Sequence, residues 1–82
     1  MEKRLGVIGI VVKDRESAVS QVNELLSAYA GIVVGRMGIP YRQQGVAVIA
    51  LIVDGSTDDI GALTGKLGAI RGIQVRSALT KK

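Results

Sequence analysis

Four segments of the chain carry the apolar patterns that predict β-strands. Residues 5–12 and 46–53 are nearly continuous apolar runs, rich in valine and isoleucine. Such runs are typical of strands that are covered on both faces. Residues 32–39 predict another strand, which Gly35 and Gly38 weaken. Residues 73–79 alternate between apolar and polar positions and predict a fourth strand.

Between these runs, two segments show helical spacing. The first predicts a helix that begins after Asp14, whose carboxylate could serve as the N-cap, and that ends at Gly31 in a left-handed cap. Its apolar positions fall on one face of a helical wheel: Ala18, Val19, Val22, Leu25, Leu26 and Tyr29. The second helix is predicted over residues 58–70, with Ser56 or Thr57 as its N-cap and Gly72 after its end.

The order of these elements is β-α-β-β-α-β, with a turn at residues 40–45 joining the second and third strands. This order predicts an α+β, ferredoxin-like fold. Because crossover connections are right-handed, both helices should cover one face of a four-stranded antiparallel sheet with strand order 4-1-3-2. We expect one domain over residues 1–82.

The third strand predicts an unusual surface, because both of its faces are apolar. One face carries Val46, Val48, Ala50 and Ile52, and the other carries Ala47, Ile49, Leu51 and Val53. An antiparallel sheet with one face in water normally alternates apolar and polar residues. We therefore expect the face without helices to be an interaction surface of a homo-oligomer, a dimer or tetramer, formed by sheet-on-sheet or sheet-edge pairing.

The glycine-rich segment 60–72 resembles a phosphate-binding loop, but its spacing does not fit one. A P-loop needs four residues between its glycines and a hydroxyl residue after the lysine, whereas Leu67 follows the lysine here. On a helical wheel, Gly61, Gly65 and Gly68 form a stripe away from the apolar face. Glycine is unfavourable in a helix, so this glycine stripe predicts close approach of the first helix, of a helix from another subunit, or of a small ligand.

Catalytic and metal-binding chemistry is not evident in the sequence. There is no His and no Cys, and no serine has an evident base, so we expect no enzyme activity, no metal site and no cofactor. The first apolar run is too short to span a membrane, which favours a cytoplasmic protein. The net charge is +4, and Lys13, Arg15, Arg42 and Arg71 should lie at one end of the sheet, either as a solvated rim or as an anion or nucleic-acid site.

Segments along nearly the whole chain resemble one protein family. The segments are "VVKDRESA", "VNELL", "GRMGIPY" and "IVDGSTDDIGALTGKLGAIRGIQV", and the family is that of the iron-only hydrogenase system putative regulators. The resemblance implies an ACT-like ferredoxin fold, similar also to the C-terminal domain of nickel-responsive regulators. Such domains oligomerise and commonly sense small molecules at subunit interfaces.

This chain lacks several features of the related families, which limits the functional properties that the resemblance implies for it. Nickel-responsive regulators bind metal through His and Cys, which are missing here, and read DNA through a separate domain for which this chain has no room. Amino-acid-binding ACT domains often carry a Pro-Gly turn after the first strand, where this chain has "KDRE". The candidate ligand or interface residues are therefore the hairpin residues and the glycine stripe: Gly35, Arg36, Met37, Gly38, Pro40, Tyr41, Gly61, Gly65 and Gly68.

Three functions remain open from the sequence. The first is an oligomeric ACT-like regulatory module that binds a small ligand or a partner protein, in the setting of an iron-only hydrogenase system. The alternative is a transcriptional regulator that binds DNA directly through its basic residues. The third is a purely structural assembly factor.

Overall fold

The computed structural model describes residues 3–13 and 15–80. Its element order is β1 (Lys3–Val12), α1 (Arg15–Ala28), β2 (Val33–Tyr41), a 3-10 helix (Arg42–Gln44), β3 (Val46–Ser56), α2 (Thr57–Gly68) and β4 (Ile73–Leu79). All strand pairs are antiparallel, and the spatial order is β2-β3-β1-β4. The predicted ferredoxin-like fold and its strand order are confirmed.

The hydrophobic core lies between the sheet and the two helices. Alternate residues of β1 and β3 are fully or almost fully buried on the helix-covered face, as their two-residue period requires. Both helices contribute residues at helical spacing to the same layer. The core residues are Ile8, Ile10, Val12, Ala18, Val22, Leu26, Ile49, Leu51, Val53, Ile60, Leu63, Leu67 and Ile70.

The helix ends differ in part from the prediction. The Ser56 hydroxyl accepts a hydrogen bond of 3.0 Å from the Asp59 amide, so Ser56 is the N-cap of α2. The predicted N-cap of α1, Asp14, lies outside the described residues. The predicted left-handed cap at Gly31 is wrong, because among the described residues only Gly45 and Gly72 have positive φ. After α1 the chain instead turns through short-range bonds such as Ile32 N–H to the Tyr29 carbonyl, 3.0 Å.

Three strands are longer than predicted, and β1 begins two residues earlier, at Lys3. β2 continues through Pro40 and Tyr41, because it is an edge strand and a proline there removes no essential ladder bond. The connection to β3 is therefore shorter, a 3-10 turn that closes at Gly45 with φ of 66°. β3 continues to Ser56 because its last residues pair with the start of β1, where Lys3 lies opposite Ser56.

Candidate functional site

The sheet face away from the helices, which we call the open face, is an exposed apolar surface. On β1 it carries the odd-numbered residues, and on β3 the even-numbered residues that pair with them. Eight large apolar side chains are exposed in the described part of the chain, and seven of them lie on the open face. These are Leu5, Val7, Met37, Ile39, Tyr41, Val48 and Ile52, whereas the eighth, Val34, lies at a register shift in β2.

Strand register arranges the middle of the open face in three rows that cross all four strands. The central row is Arg76, Gly9, Ala50 and Met37; the flanking rows are Ala78, Val7, Ile52 and Gly35 on one side and Gln74, Val11, Val48 and Ile39 on the other. Arg76 is the single charged residue in these rows, and it lies on an edge strand. The open face therefore has an apolar centre with small residues in the middle row.

The hairpin candidates are divided between the two faces of β2. Gly35, Met37 and Tyr41 pair with open-face residues of β3, and Met37 is 65% exposed. The other three, Arg36, Gly38 and Pro40, lie on the opposite face of the strand. The structure therefore does not join the six residues into one site.

Arg36 is positioned by α1 and not by the open face. Its guanidinium donates a hydrogen bond of 3.2 Å to the Asn23 side-chain oxygen. Asn23 lines a depression of about 770 Å³ along α1, and Arg36 lines a neighbouring one of about 340 Å³ between α1 and β2. The sequence gives no sign of Asn23 as a functional residue, because a polar residue on the outer face of a helix carries no distinguishing signal.

The glycine stripe lies on the exposed face of α2. A Cβ atom placed at Gly61, Gly65 or Gly68 would meet no atom within 4 Å outside the local helix. The expectation that α1 of the same chain packs against the stripe is therefore wrong. The two helices meet elsewhere, where the Lys66 ammonium lies 5.2 Å from the centre of the Tyr29 ring. A helix from another subunit or a small ligand remains a prediction for this surface.

The basic residues gather at one end of the sheet, as the antiparallel order predicts. Lys13 follows β1 and donates a backbone hydrogen bond of 2.8 Å to the Gly72 carbonyl, beside Arg71. Arg42 begins the 3-10 turn at the same end, because Tyr41 lies opposite Val46 and Ala47 lies opposite Val12. All three side chains are exposed, whereas that of Arg15 lies outside the part that the structure describes.

Metal ligation and membrane crossing are two further properties that the described residues bear on. Across residues 3–13 and 15–80, no group of three His, Cys, Asp or Glu side chains is arranged to hold a metal ion. Among the described helices, none combines the length and the apolarity needed to cross a membrane.

Among the solved structures that share this fold, two do so over nearly their full length. The uncharacterized protein TM1266 from Thermotoga maritima is 45% identical, with a TM-score of 0.94 over 98% of this chain and 100% of that chain. The ACT domain of GTP pyrophosphokinase from Chlorobium tepidum is 20% identical, with a TM-score of 0.78 over 93% of this chain and 99% of that chain. At this lower identity the likeness shows the fold alone, and it supports the ACT-like description.

A search of curated protein sequences found no match. The family model described as "TM1266-like: Iron-only hydrogenase system regulator, putative" matches residues 4–77. This match covers most of the chain and agrees with the 45% identity to the Thermotoga maritima protein. It also confirms the resemblance carried by the sequence segments. The chain therefore belongs to the TM1266-like family of iron-only hydrogenase system regulators.

Proposed function

We propose that the chain is an oligomeric, ACT-like regulatory module that binds a small ligand or a partner protein at its subunit interfaces. The regulated system would be an iron-only hydrogenase system, as the family description suggests. The observation that carries the proposal is the open face, on which seven large apolar side chains are exposed. Soluble monomers rarely expose an apolar patch of this extent unless it is an interaction site.

The residue types on the accessible surface favour binding over catalysis. The chain has no His or Cys to act as general base, thiol nucleophile or soft metal ligand. Backbone is unusually accessible at the glycine stripe, and a ligand or a second helix could approach it closely because no side chain intervenes. We therefore place the candidate interface or ligand contacts at the stripe and at the hairpin residues of β2.

Ligand binding is tested by thermal unfolding with defined probes. The purified protein is screened against individual free amino acids and nucleoside phosphates, and one chemical class is expected to raise the unfolding temperature. The variant Gly65→Gln should lose that shift, because it places a long side chain in the stripe. Its control, Ala62→Gln, changes an exposed residue of α2 outside the stripe and should keep the shift. A monomer that responds to no probe would contradict the proposal.

The hydrogenase setting has its own test. Deleting the gene in its native host should change the transcript level or the hydrogen evolution of the iron-only hydrogenase. If neither quantity changes under conditions that induce the hydrogenase, the regulatory setting is wrong, even where a ligand binds.

A second function, direct DNA binding, is favoured by the cluster of Lys13, Arg42 and Arg71 at one end of the sheet. Binding to labelled DNA from upstream of the chain's own operon is compared with binding to scrambled DNA over a salt series. This function predicts preference for the operon sequence. It also predicts weaker binding for Arg42→Glu than for Lys3→Glu, which changes a cation at the opposite end of the sheet. Weak binding that is equal for the two DNA sequences and disappears with salt would show that the basic cluster is only a solvated rim of the sheet.

A further inference from the structure

The proposed function requires an oligomer but does not say which surfaces of the subunits meet. The assignment of the open face as the contact surface rests on that function. We propose that a second copy of this chain covers the open face, with the two sheets packed face to face. The occupant is inferred from the size of the face, from its charges and from its shape.

The size of the face requires a partner that covers all four strands. At about 4.8 Å between strands and about 3.3 Å per residue, the face has a projected area of roughly 500 Å². A standard interface buries about 800 Å² of accessible surface on each partner, which exceeds this projected area, so a stable dimer must use the whole face. A single helix is about 10–12 Å in diameter and covers only part of four strands. A second sheet of the same width covers all of them.

The charges on the face favour an identical partner over an acidic or basic one. In the three middle rows, Arg76 is the single charged residue, and the opposite edge of its row carries Met37. Because Arg76 lies on the edge strand β4, its guanidinium can reach solvent at the rim of a sheet sandwich. The centre then contacts only apolar residues of the partner. A basic peptide would find no acidic residue in these rows, and a nucleic acid would find only Arg76, because Lys3 and Asp54 lie beyond the three rows at one end of the face.

The shape of the centre also fits a second sheet. On the two central strands, β1 and β3, the middle row has only Gly9 and Ala50. The flanking rows on these strands have larger side chains, namely Val7, Val11, Val48 and Ile52. A partner sheet can place side chains of a flanking row into this shallow central row. Packed sheets interdigitate in this way at a separation of about 10 Å.

The absence of cysteine permits a direct crosslinking test. Ala50→Cys places one thiol at the centre of the open face, and a bismaleimide that spans about 10 Å is added to the native protein. The control is Ala62→Cys on the exposed face of α2. Face-to-face packing predicts a covalent dimer for Ala50→Cys and mainly monomer for Ala62→Cys. Crosslinking of Ala62→Cys alone would overturn the proposal.

Light scattering of two lysine variants gives a second readout that does not depend on a crosslink. Val48→Lys places a charge on the open face, whereas Ala62→Lys places one on the exposed face of α2, and circular dichroism checks that both variants fold. The expected result is a monomer mass for Val48→Lys and the wild-type mass for Ala62→Lys. An oligomer that survives Val48→Lys overturns this inference and leaves the proposed function standing. A monomeric wild type contradicts both.

Discussion

Replacing Gly6 with alanine tests the fit between the two strands at one side of the sheet. Gly6 lies in β1 opposite Leu79 of β4, and a Cβ atom built there would lie 2.7 Å from the Ala78 carbonyl oxygen. It would also clash with the Leu79 side chain. The side chain of Leu79 could rotate away, but the carbonyl belongs to the backbone and moves only if β4 moves.

The expected cost follows from that displacement. An ordinary contact begins near 3.4 Å, so β4 must shift by about 0.7 Å. The shift stretches the neighbouring bond from the Thr80 amide to the Leu5 carbonyl, now 2.8 Å, beyond a good hydrogen-bond length. Overpacking costs about 1–3 kcal/mol and a lost hydrogen bond about 1 kcal/mol, whereas alanine regains up to about 1 kcal/mol of strand preference. We expect Gly6→Ala to lower the free energy of unfolding by about 2–3 kcal/mol.

Urea titration followed by circular dichroism measures this change at a fixed protein concentration. The unfolding temperature should fall by roughly 10–20 °C for a domain of this size. The control is Gly38→Ala, another strand glycine, where a Cβ atom would meet Ile49 at an ordinary 3.7 Å. It should be neutral or slightly stabilising. Equal stabilities of the two variants would refute the argument from strand contact.

Three further predictions concern α2. The double variant Gly61→Ala and Gly65→Ala, made in a Val48→Lys background, should raise the free energy of unfolding by about 2 kcal/mol. Alanine is favoured over glycine in a helix, and each added methyl group enters open space. Destabilisation of this variant in urea titration would contradict the prediction. Ser56→Ala removes the N-cap bond of 3.0 Å and should cost about 1 kcal/mol by thermal unfolding, whereas Ser56→Asp should restore most of it. Leu63→Ala in the fully buried core should cost about 2–5 kcal/mol, and an unchanged urea midpoint would show that α2 packs differently.

The sequence predicted the fold well, because apolar runs and helical spacing mark the residues that become buried. Burial of these same residues holds the sheet and the helices together. The four strands and two helices occur in the predicted order, and Ser56 caps α2 as the pattern of hydroxyl and acidic residues indicates. The ends of the strands were less predictable from the sequence. β3 extends to Ser56 because residues at the start of β1 pair with it, and no local pattern reveals such a distant partner.

The candidate site could be predicted only as a set of residues and not as an arrangement. Met37 and Tyr41 lie on the open face, whereas the glycine stripe lies on a helix on the other side of the sheet. The sequence also suggested contact between α1 and the stripe. The structure shows open space there, because the sheet-facing apolar residues of α2 turn the glycines outward.

The central position of β1 has a consequence for folding kinetics. β2 and β3 are joined by a tight turn and can pair locally, but both partners of β1 are distant in sequence. Chains dominated by such long-range pairings fold slowly, because the entropy of closing large loops is lost before the contacts form. The rate-limiting event should therefore be the insertion of β1 between β3 and β4. Until that event, Ile8, Ile10 and Val12 of β1, which belong to the centre of the core, lack their native contacts.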